Sequence, residues 1–315
     1  MPEATYRQPG LLIDYTPLAA VVAGQVLQLP DGRAAFAPTA IAAGALGAVQ
    51  VEGVCTLTKT TSMVVLQGSR IFWDHSANAA HLLHRNDKDF FVGTALEDAT
   101  SAGTTVKVAL NVKPVFTVGL DSGWVGVQVQ TAGFVAAAGS GEGVNLRFSA
   151  TAEAQKVDAL SHRGMAVAEI GVVHALICVN DGGDAAALDC NIGLANGTHA
   201  TDADAITESL FCHLDGNSVN INLESDDGTT EVAATDTTVD YTAGTPFLVQ
   251  FDLRDLTDIQ AYIDGVNVLP SSVFKLNAAT GPLKFLAHLE KTSDDTPGNV
   301  TVLYGGVTQF EALNS

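Results

Sequence analysis

The stretch DIQAYIDGVNVL, residues 258–269, sets Asp264-Gly265 between two short runs rich in β-branched and aromatic residues. Asp-Gly is the pair that a two-residue hairpin turn selects, because both central residues must adopt positive φ. Earlier in the chain NINLES, residues 220–225, alternates Ile221 and Leu223 with Asn220, Asn222 and Glu224. A two-residue period of this kind describes a half-buried strand with one apolar and one polar face. From Val144 onward the segments NLRFSATA, AVAEIGVVHALICVN, LDCNIGLAN, SLFCHLD, PFLVQFDL, LKFLAHLEK and NVTVLYGGVTQFEAL read as strands too, and no long helical period interrupts them. Roughly a dozen strands joined by hairpin turns imply a two-sheet jelly-roll sandwich.

Toward the N-terminus the runs are shorter. LLIDYT, AVVAGQVLQL, SMVVLQGSRIFW, FFVGTAL and TTVKVALNV are punctuated at Pro9-Gly10, Gly24, Pro30-Asp31-Gly32, Gly44, Gly68 and Gly103. Such spacing predicts a small β-barrel or sandwich. Ser76–Arg85 is the one place where a short helix competes with a turn. Between the two regions AAAGSGEG, residues 136–143, has neither bulk nor hydrophobic period and reads as a linker. The expectation is therefore an all-β chain: an N-terminal β domain over 1–112, a connecting segment over 113–143 and a jelly roll over 144–315. No internal repeat is evident.

Composition narrows the function. Apolar residues make up 47% of the 315 and charged ones 16%, which excludes a disordered chain. The formal charge is −20, and no Lys or Arg lies between Arg163 and Arg254. A surface of that sign repels phosphates, so no nucleic-acid partner is expected. The start MPEATYRQPG has no basic and apolar signal pattern, and there is no apolar run of membrane-spanning length. Synthesis in a host cytoplasm with no membrane partner follows as the expectation. Cys55, Cys178, Cys190 and Cys212 lack C-x-x-C spacing and read as buried thiols.

The N-terminal segments TYRQPGLLIDYT (5–16), GAVQVEGVCTLTK (47–59), GSRIFWD (68–74) and VGTALEDATSAGTTVKVALN (92–111) resemble tailed-bacteriophage capsid decoration, or head-stabilising, proteins. The C-terminal segments 192–232, 251–274 and 281–291 resemble concanavalin-type jelly rolls fused to phage particle proteins. The first resemblance implies a virion protein on the outer capsid surface, partnered by the major capsid protein and assembled as a homotrimer. It also implies a core position for Cys55. Two other readings stay open: a carbohydrate-binding adhesion module with a host glycan as partner, and a tail or baseplate component.

No catalytic, cofactor-binding or metal site is assigned, and no cofactor is called for. His75, His81 and His84, with Asp74 and Asp87 nearby, read as a polar surface turn. Asp226-Asp227 and Asp294-Asp295 stand beside Gly or Pro-Gly and read as exposed turns between strands. G-x-S-x-G is absent, as is the phosphate-loop pattern. Trp73 and Trp124 both precede the expected jelly roll, and Tyr241, Tyr262 and Tyr304 read as core or hairpin residues. The candidate capsid contact is the N-terminal arm, with Tyr6, Arg7, Gln8 and Pro9 docking as an added strand.

Overall fold

The computed structural model describes residues 11–310. The chain forms two compact units, Met1–Pro114 and Val115–Ser315. Apart from three short 3-10 turns, every regular element among the described residues is a strand.

In the first unit the strands are β1 (Leu12–Tyr15), β2 (Val26–Gln28), β3 (Ala34–Phe36), β4 (Gly47–Gln50), β5 (Val54–Thr58), β6 (Arg70–Asp74), β7 (Ala79–His81), β8 (Phe90–Ala95) and β9 (Thr105–Leu110). They make a four-stranded sheet, β1-β4-β3-β2, and a five-stranded sheet, β5-β9-β8-β6-β7. Val21, Leu29, Ile41, Val49 and Val51 form the core under the first sheet. Ile71, Leu82, Val92 and Val108 are fully buried in the second. Asn111 ties the two together: its amide nitrogen donates to Ala34 O and Val51 O, and its oxygen accepts from Ala34 N. The segment 76–85 is not helical. Asp74 accepts from Ser76 N and Ala77 N, Asn78 turns the chain with φ 51°, and β7 follows.

In the second unit the strands run β10 (Val118–Gly119), β11 (Trp124–Val129), β12 (Val135–Ser140), β13 (Gly143–Phe148), β14 (Glu153–Ser161), β15 (Met165–Ala166), β16 (Ile170–Asp181) and β17 (Leu188–Ala195). They continue as β18 (Glu208–Asp215), β19 (Asn220–Asp227), β20 (Glu231–Asp240), β21 (Phe247–Asp252), β22 (Gln260–Ile263), β23 (Val266–Val268), β24 (Pro282–Asp294) and β25 (Gly298–Gln309). One eight-stranded sheet has the order β12-β13-β25-β16-β21-β22-β23, with β10 also on β25. The other has the order β11-β14-β24-β17-β18-β19-β20, with β15 also on β24. Between them lies one core, to which Leu146, Ile177, Val249 and Val302 contribute from the first sheet and Ile192, Cys212, Leu223 and Phe285 from the second. This is the expected two-sheet sandwich.

The β22–β23 hairpin turns on Asp264 (φ 52°) and Gly265 (φ 79°), and Asp264 Oδ1 also accepts from Leu248 N. The linker expected over 136–143 is instead most of β12 and its turn into β13, closed by Gly141 at φ 63°. The sandwich also takes up β10 and β11, well before Val144. These pieces escape the sequence pattern because β11 and β12 are edge strands. β12 is built largely of Ala and Gly with no apolar period, and β11 alternates only weakly buried positions, leaving Val125, Val127 and Val129 exposed at the sheet edge. Trp124 accordingly packs against the sandwich core, while Trp73 is buried in the first unit.

Candidate functional site

The first unit contains the same backbone arrangement twice. Val21 and Ile41 exchange both main-chain hydrogen bonds, as do Val65 and Ala99. Gly24 N donates to Ala37 O, and Gly68 N to Ala95 O. Ala37 N returns to Gln25 O, and Ala95 N to Ser69 O. Gln25 N donates to Val22 O and Ser69 N to Leu66 O, while Ala45 N donates to Ala42 O and Gly103 N to Thr100 O. Gly24 and Gly68 hold φ of 80° and 85°, a region that side chains disfavour. The sequence hid this duplication because main-chain bonds define it and few side chains are shared.

The two copies differ on their exposed surface. At matching positions Leu18, Ala23, Thr39, Ala40, Ala42, Ala43 and Leu46 of the first copy stand where the second has Ser62, Gln67, Glu97, Asp98, Thr100, Ser101 and Thr104. All of these are exposed. Leu18 is 101% exposed, Leu46 73% and Val22 64%, whereas Leu66, the counterpart of Val22, is buried. No charged residue lies between Asp14 and Asp31 or between Arg33 and Glu52. The Val21–Ile41 pairing and the bond from Gly44 N to Pro17 O hold the two apolar loops side by side. Since the second copy keeps the same backbone with polar tips, folding does not demand the apolar ones. In a chain of charge −20, an uncharged apolar tip is a surface built to be covered.

In the second unit the outer face of the β11-to-β20 sheet is polar yet buried. Cross-strand pairing aligns Asp158, His288, Asn191, His213 and Asn222 in one row and Lys156, Glu290, Asp189 and Asp215 in the next. The segment 196–207, which carries the 3-10 turn Ala203–Ala205, covers part of this face. Its Ala203 and Ile206 cluster with Phe211 and Leu286. His213 is engaged through both ring nitrogens, Nδ1 with Glu224 at 3.2 Å and Nε2 with Asp215 at 3.1 Å. Burial opposes its charge, but Asp204 and Glu224 outweigh that and raise its pKa, so His213 is an imidazolium. His288 Nδ1 donates to Asp158, which also pairs with Lys156 at 3.0 Å. Burial is again the opposing effect, and Asp158 and Glu290 hold His288 up to about 9. Burial pushes Asp189 up to about 7.

The residues singled out in the sequence fare differently. Tyr6, Arg7, Gln8 and Pro9 lie outside the described residues. His75 and His84 are exposed, but His81 is buried, not on the surface, and its Nδ1 accepts from Leu83 N at 3.0 Å. Asp227, expected in an exposed turn, is buried and accepts from Thr229 N, Thr230 N and Ala278 N. Asp294 caps its own turn through Thr296 N. All four cysteines are buried and free, with Cys55 in β5. Tyr241 and Tyr304 are buried and Tyr262 half-buried. The buried polar rows were missed: alternation in NINLES and LAHLEK reveals a polar face but not what covers it.

Among the described residues no helix is long and apolar enough to cross a membrane. Similar solved structures include the carbohydrate recognition domain of Emp47p, at 9% identity and a TM-score of 0.43 over 59% of this chain and 88% of that one. A carbohydrate-binding module from Bacillus subtilis gives 11% identity and 0.36 over 60% and 96%. A GH16 protein of the Bacteroides ovatus mixed linkage glucan locus gives 9% and 0.41 over 61% and 98%. Nothing about a ligand follows from likeness at this level. No curated protein matches the chain. The duplicated apolar-tipped unit, by contrast, coincides with a match to the phage cement protein family over residues 7–110, so this N-terminal region is similar to phage cement proteins and is followed by a jelly roll.

Proposed function

We propose that the chain cements a bacteriophage capsid by seating the apolar tip of its first unit on the outer surface of the major capsid protein shell. The observation that carries this reading is the contrast between the two copies of one backbone, exposed and apolar at Leu18, Val22 and Leu46 where the other copy has Ser62, a buried Leu66 and Thr104. The cement family supports a structural, capsid-stabilising role on the virion. Burying a Leu or Val side chain that was exposed contributes about 1.5–3 kcal/mol. A few such anchors per subunit give a weak contact, and several linked subunits convert it into a firm one. The protein therefore acts as a homotrimer at threefold positions of the shell, with the acidic jelly roll as a further module. The arm Tyr6–Pro9 adds a strand to a shell subunit. No catalytic role is assigned to either unit.

The test is sedimentation of the purified protein with expanded, undecorated capsids. The double variant Leu18→Ser, Leu46→Thr installs the residues that the second copy carries, so its fold is retained. Its binding should fall at least tenfold, and deletion of residues 2–9 should weaken binding further. Unchanged binding of a folded double variant would remove the tip from the contact.

A further inference from the structure

We infer that the jelly roll binds a second copy of this chain edge to edge, with β11 pairing antiparallel to β11 of the other copy across a twofold axis at Val127. The sandwich finishes its sheet ends, β20, β23, β11 and β12, in different ways. β20 carries Glu231, Asp236 and Asp240, its register with β19 shifts twice, and Thr238 holds a φ of 61°. β23 is only three residues long. Charge, bulges and shortness are the usual means by which a sheet edge is kept from pairing with another chain. β11 has none of them. It is six residues long, it runs in unbroken register with β14, and no charged residue lies between Asp121 and Glu142. Among the described residues β14 is its only strand neighbour. β12 is uncharged too, but residues 136–139 are Ala and Gly and bring little bulk to a contact.

Val125, Val127 and Val129 are 48%, 37% and 47% exposed and stand opposite Leu160, Asp158 and Lys156 on the outer face of the sheet. The bond from His162 N to Gly123 O fixes the phase of this ladder. Antiparallel pairs alternate between bonded and non-bonded, so Val125, Val127 and Val129 bond to β14 while Gly126 and Gln128 turn their N–H and C=O groups outward. Two observations make the occupant a copy of the same chain. The order Val125-Gly126-Val127-Gln128-Val129 places its valines symmetrically about Val127. Turned about that residue, it sets Val127 against Val127 and Val125 against Val129, and Gly126 and Gln128 exchange main-chain hydrogen bonds across the seam. Such self-complementarity is what a twofold contact demands and what a foreign strand does not need. In addition, two chains of charge −20 repel each other wherever charged surfaces meet, and this edge brings no charge of its own.

This inference is independent of the capsid reading, because the contact uses no residue of the first unit. Its test uses the full chain. All four native cysteines are buried, so Val127→Cys supplies one exposed thiol at the axis. There it faces its twin in a non-bonded pair, whose Cα atoms lie about 4.5 Å apart, within the reach of a disulfide. Under air oxidation Val127→Cys should form a disulfide-linked dimer roughly tenfold faster than Val266→Cys, whose thiol stands exposed on β23. In sedimentation velocity the wild type should have at least twice the mass of Val127→Lys, which sets two ammonium groups against each other, with the circular dichroism of the two proteins unchanged. Equal cross-linking rates for the two cysteine variants would overturn the inference, as would equal masses for the wild type and a folded Val127→Lys chain.

Discussion

His81 is a histidine that the first unit needs neutral. It is 3% exposed, and its Nδ1 accepts a hydrogen bond from Leu83 N, a role open only to the uncharged ring. Burial is the main cause that lowers its pKa to about 4, with Arg85 adding to it and Asp74 and Asp89 opposing. A depressed histidine pKa means that the unfolded chain takes up a proton before the folded one does. Stability is therefore intact above about pH 6.5 and falls as pH drops toward 4, by roughly 3 kcal/mol over the whole window. Urea unfolding between pH 7 and 4.5 should show the decline, and His81→Gln should flatten it; equal slopes for both proteins would contradict the assignment. The sequence could not distinguish His81 from His75 and His84. In β7 the burial runs half-buried, buried, buried, so both faces of the strand are covered and alternation carries no signal.

At the scale of elements, legibility followed local chemistry. The β22–β23 hairpin could be read because Asp264-Gly265 is itself the cause of the turn. β12 could not, because an Ala- and Gly-rich edge strand is held by its pairing with β13, and that pairing is non-local information. The same holds for the duplicated knot, whose visible trace is little more than Gly24 and Gly68. Both glycines have φ near 80°, and a Cβ at Gly24 would meet nothing within 4 Å, so the cost of Gly24→Ala is strain alone. If the two knots are mechanically alike, Gly24→Ala and Gly68→Ala should each destabilise the first unit by about 1–2 kcal/mol. Denaturant titration measures this, and a neutral or stabilising effect at either site would show that the knots are not equivalent. The buried polar rows belong here as well: LDCNIG, CHLD and LAHLEK show which residues share a face, but only the fold brings segment 196–207 over them.

For the whole molecule, charge separates the surfaces. The chain carries −20 overall and leaves its apolar loops, residues 15–30 and 34–51, without a single charge. An attachment made through those loops depends on apolar burial and not on ion pairs, so the proposed capsid contact should be little weakened by salt. The jelly roll brings an independent core and a covered polar face, which no attachment through the first unit requires. The central claim is that the first unit grips the capsid through its apolar tip, and cryo-electron microscopy of expanded capsids mixed with the purified chain tests it most directly. The account predicts trimeric density at outer threefold positions, with Leu18, Val22 and Leu46 against the shell. Density on the tail alone, no binding, or binding with those loops turned to solvent would contradict it.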